Sequence, residues 1–331
     1  MYKKFLVLFF VIFTFSACSS KKFFEPQATQ GNYQANKQYL PAKITNFSKN
    51  FASLANGQFL SKSGISKTKL PKGYFLLNKE NHTIIAASLT KKLYVKINKQ
   101  VTYLSMDTNA VAASIHKNLL ALVFSNNSLA LFDLRTKSYI FKEYQKPSLA
   151  NDTRIVNPKF MSGLTLFPSL DGRILIVDNR THKITRSIVV DLDDSKFNNI
   201  IFFKILKNRL IIASDNKLIS TGAGFNKTLS YRLRNIILDD GFIYLSTIDG
   251  RIIKLNKDLK VIFSQKFKYA KFHSLFFNKK NIFALESQGY LIKLTKNLKR
   301  YKVYKISFDK NEKTFFFQKK LANGDIYYNF K

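Results

Sequence analysis

The sequence predicts an all-β protein, a β-propeller built from four-stranded antiparallel blades. Three observations support this prediction. The stretch DGRILIVDNRTHKITRSIVV, from Asp171 to Val190, has the order turn, strand, polar corner, strand, and the same order recurs along the chain. The strands that open these units start 34 to 45 residues apart, close to the roughly 40 to 50 residues of known propeller repeats. The short β-branched and aromatic runs lack helical spacing, which argues against helical repeats.

The number of blades follows from counting strands. Six complete four-strand units lie between residues 73 and 306. An incomplete pair remains at each end, GQFLSKS with ISKTKL near the N-terminus and TFFFQKKLANGDIYYNF at the C-terminus. Joining the two pairs predicts a seventh blade shared by both chain ends, which closes the ring and removes open sheet edges. Eight blades is the alternative, if the C-terminal pair supplies a third and a fourth strand.

The N-terminus predicts export. Lys3 and Lys4 precede an apolar run that ends at Phe15, and this run is shorter than the roughly 20 residues needed to span a bilayer. Residues 1–17 are therefore interpreted as a signal peptide. The small residues before Cys18 resemble the bacterial lipobox, with Phe15 an atypical occupant of its position. This resemblance implies cleavage before Cys18 and acylation with palmitate-type chains; an ordinary signal peptide with an idle thiol is the alternative.

Cys18 is the only cysteine in the chain, so no disulfide can form. Several acyl chains on one residue would anchor the protein stably, whereas a single chain would be marginal. The residues after Cys18 are serines rather than aspartate, and the lipoprotein resemblance therefore implies the outer membrane. Residues 18–46 lack periodicity and are predicted to form a flexible tether, and residues 47–331 are predicted to form a single propeller domain.

The repeat itself resembles a known class. The pattern from Asp171-Gly172 through Asp178 and Thr181 to Lys183 resembles the PQQ-type propeller repeat, although His182 replaces the usual glycine and the chain has no tryptophan. We expect a structural turn role for the residues that open three of the units, Asp171, Gly172, Asp249, Gly250, Gln288 and Gly289. With the lipobox, the chain resembles the BamB-like propeller lipoproteins, which implies a scaffold role in outer-membrane β-barrel assembly.

The residues that could carry chemistry are scattered. The four histidines fall in different units without metal-ligand spacing, and no nucleophile elbow or phosphate loop occurs. Asp191, Asp193 and Asp194 form an acidic loop that lacks the glycine and terminal glutamate of a calcium loop, so we interpret it as a solvated turn. The sequence therefore predicts a protein that is not an enzyme and has no cofactor and no metal site.

The charge is strongly positive, +35 over 331 residues. Lysines occur in every unit together with many Asn, Ile and Phe residues, so genomic composition and solubility are one explanation of the positive charge. The other explanation is that the charge attracts anionic lipid, lipopolysaccharide or an acidic partner. Export argues against nucleic acid as the partner. The densest basic stretch, KNLKRYKVYK at 296–305, is expected to be an ordinary outer strand.

Together these observations predict a lipid-anchored protein on the periplasmic face of the outer membrane, which binds protein partners without catalysis. The BamB-like resemblance makes the barrel-assembly complex the expected partner. Two alternatives stay open: an accessory of a periplasmic electron-transfer or reductase system, and a surface-displayed adhesin or ligand-binding propeller. Propeller function lies in loop surfaces, so the fold alone does not separate them.

Overall fold

The computed structural model describes residues 22–148, 152–193, 197–278 and 281–330. In these residues 32 strands form eight four-stranded antiparallel sheets. The predicted all-β propeller of four-stranded blades is thereby confirmed. Cys18 and the predicted signal peptide lie outside the described residues, and their assignment stays a prediction. None of the described segments is a helix of the length and apolar character needed to cross a membrane.

Each blade is numbered by its innermost strand in chain order. Blade 1 contains β2 (Ile44–Phe47), β3 (Ala52–Leu54), β4 (Phe59–Ser61) and β5 (Gly64–Ile65). Blade 2 contains β6 (Tyr74–Glu80), β7 (Thr83–Ser88), β8 (Lys92–Ile97) and β9 (Gln100–Ser105). Blade 3 contains β10 (Ala110–His116), β11 (Leu119–Phe124), β12 (Ser128–Asp133) and β13 (Ser138–Tyr144). Blade 4 contains β14 (Lys159–Met161), β15 (Leu164–Pro168), β16 (Arg173–Asp178) and β17 (Ile184–Val189).

The second half of the ring continues in the same way. Blade 5 contains β18 (Phe202–Leu206), β19 (Arg209–Ala213), β20 (Lys217–Gly222) and β21 (Phe225–Ser230). Blade 6 contains β22 (Leu233–Asp239), β23 (Phe242–Thr247), β24 (Arg251–Asn256) and β25 (Val261–Lys266). Blade 7 contains β26 (Phe272–Asn278), β27 (Asn281–Glu286), β28 (Tyr290–Thr295) and β29 (Tyr301–Lys305). Blade 8 contains β30 (Thr314–Phe317), β31 (Lys320–Asn323), β32 (Ile326–Asn329) and, from the other chain end, β1 (Asn36–Tyr39).

The predicted closure by both chain ends is confirmed, but the prediction of seven blades is wrong and the eight-bladed alternative is correct. The C-terminal segment supplies three strands instead of two, and β1 pairs antiparallel with β32 as the fourth. The segments GQFLSKS and ISKTKL contribute to a separate blade 1, which begins at Ile44. Its strands have only two to four residues, too few for an alternating pattern to be read.

The segment predicted to be a tether contains ordered structure. Strand β1 and the first residues of β2 fall within residues 18–46. Farther upstream, Asn32 forms a parallel bridge with Lys305, at the end of the outer strand of blade 7. The chain therefore contacts blade 7 and then blade 8 before blade 1 begins at Ile44.

The core is a circle of eight apolar clusters, one between each pair of neighbouring blades. Between blades 2 and 3, for example, Leu93 packs in one cluster with Leu122, and both side chains are fully buried. The chain-end blades are joined to their neighbours by the same kind of cluster, which places Leu60 with Phe317 and Phe283 with Leu321. Because each described blade packs its apolar faces against its two neighbours, these clusters bury the apolar sheet faces between the blades.

Candidate binding site at the central channel

The innermost strands of the blades face a central channel. First strands of adjacent blades contact one another, as β10 does with β6 and β14, and so they form the channel wall. At one end of this channel lies a cavity of about 540 Å³, lined by residues from blades 1, 2, 4 and 5. Turns between first and second strands and turns between third and fourth strands meet at that end, because antiparallel strands alternate in direction.

Lysines dominate this cavity, which we call the channel opening. Five of them line it: Lys49, Lys62, Lys79, Lys159 and Lys204. Lys49 and Lys62 lie in turns of blade 1, and the other three lie on the first strands of blades 2, 4 and 5. Glu80 is the only carboxylate among the lining residues that the structure describes. The opening therefore concentrates positive charge on a concave surface, where the field is focused.

Lys49 is the most enclosed of the five amines. Its Nζ donates a hydrogen bond to the carbonyl oxygen of Ile201 and lies 4.5 Å from the ring centroid of Phe202. Burial lowers the pKa of Lys49 well below its usual value, and Arg154 and Lys204 lower it further. The ring face, the carbonyl oxygen and the charge of Asp152 favour the cation.

The other lysines repel one another. Reduced hydration within the concave opening lowers the pKa of Lys204 to about 8, and the charges of Lys62 and Lys159 add to this effect. Burial likewise lowers the pKa of Lys159, which Glu80 partly opposes. An anion placed among these amines would relieve their repulsion, so the arrangement is suited to binding acidic groups.

The asparagines beside the opening tie the blades together. Asn157 accepts a hydrogen bond from the amide of Ala113 at 3.2 Å and donates one to the carbonyl of Leu77 at 3.0 Å. Asn78 donates to the carbonyl of Ala113 at 3.1 Å. These bonds join the inner parts of blades 2, 3 and 4, and so they hold the channel wall in a fixed shape.

The sequence-predicted turn residues lie elsewhere, at the turns between second and third strands. Asp171 accepts a hydrogen bond from Ser169 Oγ at 2.5 Å, and Thr247 donates to Asp249 in the same way. In blade 7 a carboxylate oxygen of Glu286 accepts the amide of Gln288 at 2.6 Å. These side chains shape the turns.

The glycine that follows in each of these turns carries an interstrand contact. The carbonyl oxygens of Gly172, Gly250 and Gly289 accept amides that lie just beyond the fourth strand of the same blade, at 2.9, 2.8 and 2.9 Å. All three glycines have positive φ angles. The turn of each blade is thus fastened to the end of its outer strand.

The other residues considered from the sequence do not meet at one place. His82, His116, His182 and His273 lie in blades 2, 3, 4 and 7. No group of three His, Cys, Asp or Glu side chains suited to a metal ion occurs within the described ranges.

One residue of the acidic loop at 191–194, Asp191, has a hydrogen-bond partner in the next blade. Asp191 is buried and accepts a hydrogen bond from Ser214 Oγ at 2.9 Å, which joins blade 4 to blade 5; it is therefore not the solvated residue that the sequence predicted. A buried carboxylate is retained where a donor satisfies it. Asp194 lies outside the described residues.

Comparison with solved structures agrees with this architecture. The chain superposes on BamB from Moraxella catarrhalis with a TM-score of 0.68 and 12% sequence identity, over 90% of this chain and 99% of that one. It has the fold of a BamB-like β-propeller. The C-terminal WD40 domain of Sif2 is also similar, with a TM-score of 0.62, 12% identity and coverage of 91% and 100% of the two chains.

Sequence comparison finds different relatives. No family model matches the chain. It is 27% identical over 337 aligned positions to the plasminogen-binding protein PgbB of Helicobacter pylori strain J99, and equally to that of strain 26695. The alignments cover 88% of this chain and 62% of each relative, so the chain spans about three-fifths of the length of the curated relatives it matches.

Proposed function

We propose that this BamB-like propeller is a non-catalytic protein-binding scaffold that recognises an acidic surface of its partner at the channel opening. The observation that carries the proposal is the convergence of five lysines and one glutamate on a cavity of about 540 Å³. The similarity to proteins named for binding plasminogen supports protein binding as the general role.

The electrostatic argument concerns partner choice and association rate. Clustered charge of one sign attracts a surface of the opposite sign and speeds association, while suppressing encounters with basic surfaces. Such attraction between solvent-accessible charges weakens as salt is added, because the Debye length falls to about 8 Å at physiological ionic strength. Binding at the channel opening should therefore be strongly salt-dependent.

The cellular setting is part of the same proposal. Cys18 would carry the lipid, and the body would stand on the periplasmic face of the outer membrane as an accessory of β-barrel assembly. Metabolic labelling with a palmitate analogue, followed by membrane fractionation, tests the anchor. Deletion of the gene should change the outer-membrane protein profile if the partner is the barrel-assembly complex, and an unchanged profile would count against that partner.

A second candidate is a propeller displayed at the cell surface that binds plasminogen, and the name of the relatives supports its plasminogen-binding part. Immobilised full-length protein can be exposed in turn to plasminogen and to purified barrel-assembly complex in biolayer interferometry. Protease treatment of intact cells would show which side of the membrane the propeller occupies. Binding to plasminogen together with protease sensitivity would favour the second candidate over the first.

A charge-neutralising triple variant tests the site. Lys62→Gln, Lys79→Gln and Lys204→Gln together should weaken binding of whichever partner is found by about tenfold to a hundredfold at low salt. The matched control neutralises three exposed lysines that do not line the channel opening, Lys69, Lys92 and Lys227. Equal loss in both triples would refute the channel opening as the docking site.

A further inference from the structure

The N-terminal segment covers the free edge of blade 7. The amide of Gln30 donates to the carbonyl of Val303 at 2.8 Å, and the amide of Lys305 donates to the carbonyl of Gly31 at 2.9 Å. The amide of Tyr33 donates to the carbonyl of Lys305 at 2.8 Å. Backbone groups of the outer strand β29 are therefore paired along this edge instead of being open to another chain.

Phe24 fixes the beginning of this segment. Its side chain is 6% exposed and lies between blades 6 and 7. The ring centroid is 6.1 Å from that of Phe267 and 5.6 Å from that of Tyr290, both in edge-to-face geometry. The chain is thus packed against the propeller from residue 24 onward, far earlier than the end of the predicted tether at residue 46.

This early packing limits how far the propeller can stand from a lipid on Cys18. Cys18 is six residues before Phe24, and an extended chain spans at most about 3.3–3.6 Å per residue, so the reach is about 20 Å. A tether running to residue 46 would have let the body reorient freely. With a short reach, the outer side of blades 6 and 7 must stay close to the membrane.

The surface at that place is basic and aromatic. We define the rim patch by its exposed residues, Lys22, Phe23, Lys268, Tyr269, Tyr301 and Lys302. The amines of Lys22 and Lys268 lie 5.7 and 5.2 Å from the ring centroid of Tyr269. Beside the patch is a groove in which Glu25 is the one carboxylate among the described lining residues.

We propose that the rim patch is a membrane-contact surface that binds anionic lipid headgroups. Each juxtamembrane lysine near an anionic surface strengthens membrane binding about fivefold. Tyr269 and Tyr301 suit the interface, because a ring with a polar hydroxyl tip can sit at the level of the headgroups, and Phe23 adds exposed apolar surface beside them. The reach argument rests on the proposed anchor at Cys18, whereas the charge and the aromatic character of the patch do not.

This contact would set the orientation of the ring. Lys268 and Tyr269 lie in the connection from blade 6 to blade 7, at the end of the ring opposite the channel opening, whereas Tyr301 and Lys302 lie on the outer strand β29. A propeller resting on this patch holds blades 6 and 7 against the membrane, with the channel opening at the end of the ring that lies farther from these loop residues. The channel opening then remains accessible to a protein partner beside it.

Vesicle sedimentation tests the charge of the patch. Full-length protein should pellet with vesicles containing phosphatidylglycerol at least about tenfold better than with phosphatidylcholine vesicles. The rim triple Lys22→Gln, Lys268→Gln and Lys302→Gln should lose about tenfold to a hundredfold in this binding. The control triple at Lys69, Lys92 and Lys227 should lose less than about twofold, and equal losses in the two triples would overturn the proposal.

A second measurement reads orientation in reconstituted vesicles. Acylation would occupy the single native cysteine, so a new cysteine at Tyr269→Cys or Tyr144→Cys can carry an environment-sensitive fluorophore. Tyr144 is 65% exposed in blade 3, across the ring from blade 7. Brominated lipids should quench the label at 269 several times more than the label at 144, and equal quenching would refute the orientation.

Mass spectrometry of the N-terminal peptide separates the two proposals. An unmodified Cys18 would refute the anchor, and the sedimentation experiment would still decide the rim patch. A lipidated Cys18 with equal loss in the two triples would leave the anchor standing and refute the rim patch.

Discussion

Each of blades 2 to 7 is formed by one continuous segment of the chain, whereas blade 8 combines strands from both ends of the chain. In a contiguous blade all four strands are joined by short turns, so each pairing is local in sequence. In blade 8 the outer strand comes from residues 36–39 and pairs with residues 326–329. Closing so long a loop costs more entropy, although the cost grows only slowly with loop length. The comparison indicates that the ring is weakest where the chain ends meet.

The turn glycines offer the sharpest test of this difference. A Cβ added to Gly172 in blade 4 would lie 1.8 Å from the carbonyl oxygen of Asp191, which is backbone. At Gly324, the equivalent turn of blade 8, it would meet the flexible side chain of Glu312 at 3.2 Å. Both glycines have positive φ angles, 84° and 63°, so the conformational strain is similar.

Gly172→Ala should therefore destabilise the protein by about 3–5 kcal/mol, from overpacking together with left-handed backbone strain. Gly324→Ala should cost only about 1–2 kcal/mol, because Glu312 can move aside. Chemical denaturation of both variants measures the difference. A loss at Gly324 as large as that at Gly172 would show that the split blade is packed as rigidly as a contiguous one.

Cavity-forming substitutions give the next largest effect. Leu122 in blade 3 and Leu321 in blade 8 are both buried, with exposures of 0% and 1%. Each change to alanine should cost about 2–5 kcal/mol of stability. Native-state hydrogen exchange should distinguish them: Leu321→Ala should lower the opening free energy of β30–β32 and β1 selectively, whereas Leu122→Ala should lower that of the whole ring. If both variants lowered the opening free energy equally in all blades, blade 8 would not be the weakest part of the ring.

The part of the fold that the sequence predicts correctly follows the same difference between the contiguous blades and the blade at the chain ends. In blades 2 to 7 most strands have five to seven residues, long enough for alternating apolar positions, and turns such as Asp249-Gly250 mark their boundaries. Blade 1 offers strands of two to four residues, and the partner of β1 lies at the opposite chain end. No local sequence pattern indicates either feature. The predicted number of blades was therefore wrong, although the predicted propeller architecture was correct.

The channel opening was not predicted for a related reason. Lys49 and Lys204 are far apart in the sequence, and each resembles an ordinary surface lysine among many. Only the ring brings first strands of different blades together. One signal was present: several of these lysines fall on a first strand or in a turn beside it, a position that faces the channel once the blades are assigned.

The smallest effect concerns the pH dependence of stability at the channel opening. The folded-state pKa of Lys204, about 8, is below its ordinary value of 10.5 because of reduced hydration and the charges of Lys62 and Lys159. Between these two pH values the unfolded chain binds more protons than the folded chain, so the free energy of unfolding rises with pH. At pH 7 the repulsion is fully present, and by about pH 10 this contribution is largely relieved.

Lys204→Gln should therefore raise the melting temperature at pH 7 by on the order of 1 °C, and the gain should shrink toward zero as pH approaches 10. The increment is small because the side chain is largely exposed to solvent. Thermal unfolding at several pH values, with Lys227→Gln as the control, measures it. A gain that stays constant across this range would mean that Lys204 does not titrate near pH 8, and the mutual repulsion inferred for the channel opening would have to be smaller than its geometry indicates.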